Sequence, residues 1–294
     1  MKTYLGIDGG ASSGRWCLVD DAGKKVAAGT SGPIDGHIYR EESRIRLLNF
    51  FRNIKDEIKT RPASAHIGLT GAPESREAQS DLRDLIFSVF GEVALEIEND
   101  VYLGYRATFG TRNGIFLYAG TGSIAVYRDT DQMLRRIGGW GYLLGDEGGG
   151  YWIGKEAVRG ALFALEEGMN SAISKAVFQR TDGDNWDSIK KFVYSSSREQ
   201  IASLAEPILT LAQSGDTEAI EIAMRAAKHL SDLVMRVEVK AGKNSIPVAF
   251  SGGIANSSKI IFREIEKKLG REILTFHGDT AHEAALFARA NYSN

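Results

Sequence analysis

The chain has 294 residues, 43% of them hydrophobic and 25% charged, enough apolar side chain for one large or two moderate cores. Its 36 basic and 38 acidic residues leave a net charge of −2, so no overall field attracts nucleic acid. One cysteine, Cys17, excludes an intramolecular disulfide and gives no support to a Cys-rich metal centre.

No segment approaches the roughly 18–20 apolar residues of a membrane span. The first apolar run stops at Asp8, unlike a secretory signal. The expectation is a cytoplasmic protein with neither nucleic acid nor membrane as partner.

In chain order, strands are expected near 3–9, 14–20 and 24–31. The first two flank Asp8-Gly9-Gly10-Ala11-Ser12-Ser13, which reads as a hairpin tip. Paired glycines let backbone N–H groups approach a ligand, the hydroxyls of Ser12 and Ser13 add donors, and Asp8 can hold a hydrated cation. The tip is a cradle for phosphate and magnesium, or an ordinary turn built from the residues turns use.

The polar loop Gly29 to His37 follows, a connection or a carrier of substrate contacts. A helix is expected over 41–59, with Leu47, Leu48, Phe50, Phe51, Ile54 and Ile58 on one face. A strand near 65–70, a helix near 75–89 and a strand near 93–98 lead to Asn99-Asp100. A carboxylate after a strand's C-terminal end lies where open α/β sheets bind ligands. Asp100 can therefore deprotonate a hydroxyl, or cap the short helix that starts at Val101.

The second half repeats the first. Strands near 114–119, 122–128 and 132–137 enclose the turn Gly120-Thr121-Gly122. A long helical stretch, a strand over 246–251, a helix over 256–269, a short strand near 272–276 and a helix over 280–291 follow. Such a repeat points to two α/β halves carrying phosphate hairpins around a nucleotide cleft.

Two near-motifs fail. Gly120 to Ala125 fits G-x-G-x-x-A, but Val126-Tyr127-Arg128 alternates like a strand where a dinucleotide fingerprint needs a helix. Gly149 to Lys155 has P-loop spacing, yet Glu156 holds the Ser/Thr position and no strand precedes it.

Seven glycines between Gly138 and Gly150 surround Trp140, Asp146 and Glu147. So many glycines weaken any regular element, which suggests a backbone loop shaped for a ligand. Its two carboxylates can accept hydrogen bonds from a polyol or sugar. An apolar stripe from Ala219 to Val237 marks a long helix whose face is core or a dimer contact. Ser251-Gly252-Gly253 is a glycine turn that either admits a nucleoside or simply joins strand to helix. The five histidines show no zinc spacing.

Gly138-Gly139-Trp140-Gly141 followed by Gly145-Asp146-Glu147-Gly148, taken with the two hairpins, resembles the sugar-kinase branch of the actin-like ATPase superfamily. The similarity is to the BadF/BadG/BcrA/BcrD-type ATPases, a family that includes N-acetylglucosamine kinases, and it covers nearly the whole chain. It implies two actin-like (ribonuclease H-like) α/β lobes, 1–112 and 113–280, the second with a helical insertion, and a last helix over about 280–294 packing back on the first.

It further implies ATP and Mg²⁺ as cofactors. Asp8 would stand near the metal; Gly9, Gly10, Ser12, Ser13, Gly120, Thr121, Gly122, Gly252 and Gly253 would line ATP. Asp100 would be the general base, and Asp35, Trp140, Gly141, Asp146, Glu147 and Gly150 would join it around an amino sugar. The chain departs from the family pattern at Ser13, where a Lys is common, and at Asp35, where an Asn is usual.

The expected activity is transfer of the γ-phosphoryl group of ATP to a hydroxyl of N-acetylglucosamine or glucosamine. Two alternatives stand beside it. An ATPase activator of a partner enzyme would need two cysteines per subunit for a shared iron–sulfur cluster, which Cys17 alone does not supply. A non-catalytic sugar or nucleotide sensor is the other, and a homodimer is left open.

Overall fold

The computed structural model describes residues 2–10, 13–276 and 278–292. They form two compact units, one from the N-terminal part to Thr111 together with the segment after Phe276, the other spanning Arg112–Phe276. Ser12, expected among the ATP contacts, lies outside the described residues.

In the first unit, β1 (Thr3–Gly9), β2 (Gly14–Asp20), β3 (Lys25–Ser31), α1 (Glu41–Ile58), β4 (Ser64–Leu69), α2 (Ser80–Phe90), β5 (Ala94–Glu98) and α3 (Asp100–Phe109) follow in order. The sheet order is β3-β2-β1-β4-β5. β1 runs antiparallel to β2 and parallel to β4, and β4 parallel to β5.

Alternation along β1 sorts its side chains onto two faces. Leu5 and Ile7 join Leu47, Phe51, Ile54, Leu82 and Ile86 of α1 and α2 in one core. Tyr4, with Cys17 and Val19 of β2, packs on Ala281, Ala285 and Ala288 of the C-terminal helix, Thr280–Tyr292. Gly6 lies on that second face, where a Cβ would overlap the backbone of this helix at Ala281 and Ala285. Asp8, two residues further on, is directed to the same face.

The second unit repeats this plan. It begins with β6 (Ile115–Ala119), β7 (Ser123–Arg128) and β8 (Leu134–Gly138). The helices α4 (Gly150–Glu166), α5 (Ala172–Phe178), α6 (Trp186–Ser195), α7 (Arg198–Ala202), α8 (Ala205–Gln213) and α9 (Thr217–Ala241) follow. It closes with β9 (Val248–Ser251), α10 (Gly253–Ser257), α11 (Lys259–Leu269) and β10 (Leu274–Thr275).

The sheet order β10-β9-β6-β7-β8 has the same antiparallel and parallel pairings as the first sheet. The expected repeat is therefore a repeat of topology. Ala219, Ile222, Ala223, Ala226, Ala227, Leu230, Leu233, Val234 and Val237 of α9 are buried in the core. That assigns this stripe to the interior rather than to a dimer face.

Some expected elements differ. The helix near 75–89 starts at Ser80, the strand over 246–251 starts at Val248, and the strand over 272–276 shrinks to Leu274–Thr275. The helix over 256–269 is two helices, because Ser258 leaves helical dihedrals and its side chain accepts from Ile261 N–H to cap α11. Among the described residues, no helix is long and apolar enough to cross a membrane.

Candidate active site

In the first unit the parallel strands β1, β4 and β5 end side by side, and the expected site residues of this unit lie at that edge. Thr70 N–H donates to Gly9 O (2.8 Å) and Ile34 N–H to Gly10 O (3.2 Å). Gly36 N–H donates to Thr70 O (2.9 Å). The glycine tip, the end of β4 and the 33–37 loop thus form one hydrogen-bonded layer. Gly10 N–H is spent on Ser13 O (2.9 Å) within the tip.

Asp8 pairs with Arg15, its direct neighbour across the hairpin. Burial raises the Asp8 pKa; the Arg15 guanidinium and the Thr280 hydroxyl offset part of that, while Asp279 adds to it. Arg15 and Thr280 were not singled out in the sequence, although the hairpin register already opposes residues 8 and 15.

Asp100 is the first residue of α3. The alternative role as helix cap falls to Asn99, whose Oδ1 accepts from Val101 N–H (3.2 Å). Asp100 Oδ1 accepts from the same N–H at 3.0 Å. Burial, and after it the negative charge of Asp8, push the Asp100 carboxyl up to about 7. Behind it Glu98 accepts from His66 Nε2 (2.6 Å) and Arg106 Nε (2.9 Å), tying β5 to β4 and to α3. Burial opposes the Glu98 charge, but His66 and Arg106 outweigh it and its pKa is lowered. The first turn of α3 is thereby fixed against the strand ends.

Asp35 is not offered as a free ligand. Its Oδ1 accepts from His37 N–H (2.9 Å) and meets His37 Nδ1 (3.0 Å), and its Oδ2 accepts from Ser43 Oγ (3.1 Å) and Arg46 (3.4 Å). Burial raises its pKa, but the bonds from His37 and Ser43 outweigh it and hold the carboxyl at about 2.

In the second unit the turn Gly120–Gly122 is covered by the 138–150 loop. Gly150 N–H donates to Gly120 O (2.7 Å), Tyr151 N–H to Thr121 O (2.9 Å) and Ser123 Oγ–H to Glu147 O (2.7 Å). A Cβ at Gly122 would overlap the Asp146 carboxylate, and one at Gly149 would meet the backbone of Gly122 at 2.7 Å. Glycine at these two positions is what allows turn and loop to touch.

Asp146 has a left-handed backbone (φ 64°) and its Oδ1 accepts from Gly141 N–H (3.2 Å). Burial raises its pKa. Gly252 (φ 100°) lies against the Ala119 backbone and Gly253 opens α10. Gly120, Thr121, Gly122, Gly141, Asp146, Glu147, Gly150 and Gly252 therefore gather at one end of β6 and β9. Trp140 does not join them, since it is 60% exposed and its ring stacks under Arg236.

Among the described residues, no three His, Cys, Asp or Glu side chains converge as a metal site. Mg²⁺ is often held by only one or two carboxylates, with water and phosphate filling the other positions. Buried Asp8, beside a glycine tip, fits that requirement.

The model of the BadF/BadG/BcrA/BcrD ATPase family matches residues 5–288. The chain is 27% identical to an N-acetylmuramic acid/N-acetylglucosamine kinase of Clostridium acetobutylicum, over 99% of both chains. It is 26% identical to an N-acetyl-D-glucosamine kinase of Dictyostelium discoideum, over 98% of both. A crystal structure from Chromobacterium violaceum, provisionally named an N-acetylglucosamine kinase, superposes with a TM-score of 0.81 at 24% identity, covering 98% of this chain and 99% of that one.

Proposed function

Since the chain belongs to the BadF/BadG/BcrA/BcrD ATPase family, we propose that it is an ATP-dependent kinase that phosphorylates a hydroxyl of an amino sugar, N-acetylglucosamine or glucosamine. The observation that carries this reading is Asp100. It is a carboxyl raised to about 7, at the ligand-binding edge of a parallel sheet. A base with a pKa near the working pH combines availability with driving force for proton transfer. The names of the two relatives at 26–27% identity support the same activity and substrate class.

In this mechanism Asp100 accepts the proton of the sugar hydroxyl as that oxygen attacks phosphorus. When bound, Mg²⁺–ATP would supply the γ-phosphoryl group, leaving ADP, and the metal would neutralise charge on the phosphates. Asp8 is the carboxylate for the metal, and Arg15 balances its charge when the metal is absent. The glycine turns at Gly9-Gly10 and Gly120-Thr121-Gly122, which allow close backbone approach, and the Ser13 hydroxyl are assigned to the phosphates, Gly252 and Gly253 to the nucleoside. Asp146, Glu147, Gly141 and Gly150 are assigned to sugar hydroxyls. Positioning and preorganised donors carry most of the rate in such a reaction.

The activator alternative requires two cysteines from each subunit, and this chain has only the buried Cys17. The test is a phosphorylation screen with Mg²⁺–ATP over glucosamine, N-acetylglucosamine, glucose and mannose, following ADP and the sugar phosphate. Phosphorylation of an amino sugar is expected. ATP turnover without any sugar phosphate would refute the kinase reading.

A further inference from the structure

The loop after β3 carries a side-chain pair that the mechanism above does not use. Asp35 Oδ1 lies 3.0 Å from His37 Nδ1 and also accepts from the His37 backbone N–H at 2.9 Å. A carboxylate only accepts, so Nδ1 carries a proton, and in the neutral imidazole Nε2 is the lone-pair acceptor. Nε2 has no partner among the described residues, and the His37 side chain is 34% exposed. The ring packs on Gly71 (φ 70°), where a Cβ would overlap the imidazole, so glycine at that position is what admits the ring against the end of β4.

The loop itself is pinned at both ends of this segment, Ile34 to Gly10 and Gly36 to Thr70. Gly10 and Thr70 follow strands β1 and β4, and Asp100 follows the adjacent β5. His37 is therefore an oriented acceptor on the sheet edge that bears Asp8 and Asp100. Asp35, by contrast, has both oxygens engaged by His37, Ser43 and Arg46.

Building on the sugar-kinase reading, we propose that His37 is the specificity-determining side chain of this loop, its Nε2 accepting a hydrogen bond from a sugar hydroxyl or amine, and that Asp35 acts through it as a positioning residue. The recognised group must donate. A neutral imidazole in this tautomer offers nothing at Nε2 to a carbonyl oxygen or an ether. A free amine or hydroxyl satisfies it, and a deoxy analogue lacking that group does not.

Binding is measured by calorimetry with N-acetylglucosamine, glucosamine and their single-deoxy analogues, which requires no turnover. Loss of one neutral hydrogen bond should weaken sugar binding about three- to tenfold in His37→Ala. His37→Gln, which keeps an acceptor, should recover part of the loss, and ATP affinity should not change. One deoxy analogue should bind wild type and His37→Ala equally. Asp35→Ala should weaken binding, and the double variant should bind no worse than His37→Ala alone.

Additive effects of the two substitutions would assign Asp35 a sugar contact of its own and overturn the proposal. Unchanged sugar binding in His37→Ala would overturn it too, while leaving the kinase reading standing. If wild type binds the sugars in this manner but transfers no phosphate, the kinase reading fails and His37 keeps its role. If wild type binds none of the sugars, both fall.

Discussion

Replacing Asp100 by Asn should cut activity while strengthening the fold. The carboxyl is raised from 3.8 to about 7, first by burial and then by the charge of Asp8. In the unfolded chain the same group ionises near its ordinary value. Between these two values the folded protein holds a proton that the unfolded chain releases, so stability falls as pH rises from about 4 and levels off above about 7. At about 1.4 kcal/mol per pKa unit the full effect has an upper bound of roughly 4 kcal/mol.

Asn keeps an oxygen for the Val101 N–H bond and carries no charge to desolvate, so a gain of about 1–3 kcal/mol is expected above neutral pH. That corresponds to a rise in Tm of several degrees for units of this size. Turnover should drop on the order of 10²–10⁴-fold, the usual contribution of a positioned base. The assay is thermal unfolding of wild type and Asp100→Asn at acidic and mildly alkaline pH, alongside sugar phosphorylation. An equal Tm difference at both pH values would refute the buried-charge argument. A near-normal kcat would remove Asp100 from the chemistry.

Three further outcomes follow from the same physical terms. Asp35 is ionised down to about 2, so its contribution is present above about pH 4 and lost as pH falls through about 2; Asp35→Asn should cost about 1–2 kcal/mol at pH 7 and nothing near pH 2, as acid-titrated unfolding curves will show. Cys17 is buried against the C-terminal helix, with burial pushing its thiol up to about 11, so thiol reagents at pH 8 should label it only at the rate of unfolding; rapid labelling of the native protein would contradict that placement. Gly122→Ala drives a methyl group into the Asp146 carboxylate and should lower kcat/KM for the sugar by roughly 10²-fold if a displacement of about 1 Å follows, with thermal unfolding checking that the unit remains folded.

Much of the architecture could be read along the chain because its signals are local. Alternation in residues 3–9 and 115–119, the helical stripe of α9 and the glycine turns at Gly9-Gly10 and Gly120–Gly122 each depend on neighbours a few residues away. Two such series, read in order, already give the repeated α/β plan. The same holds for the dense glycine stretch: its composition marks a shaped loop before any contact is known.

What only the tertiary structure decided is how those residues divide their work. By sequence the candidate cap is Asp100, whereas in the structure the N-cap is Asn99, whose Oδ1 accepts from Val101 N–H. The family resemblance implies a sugar contact for Asp35, yet Ser43 and Arg46 of α1 engage its carboxylate. The family resemblance implies a place beside the sugar for Trp140, and α9 delivers Arg236 to its ring. The raised pKa of Asp100 comes first from burial and then from the charge of Asp8, more than ninety positions earlier, brought near by parallel pairing of β1, β4 and β5. Periodicity and turn chemistry act over a few bonds, so the sequence shows them directly; burial, charge coupling and hydrogen-bond occupancy are set by neighbours that only strand order and helix packing bring together.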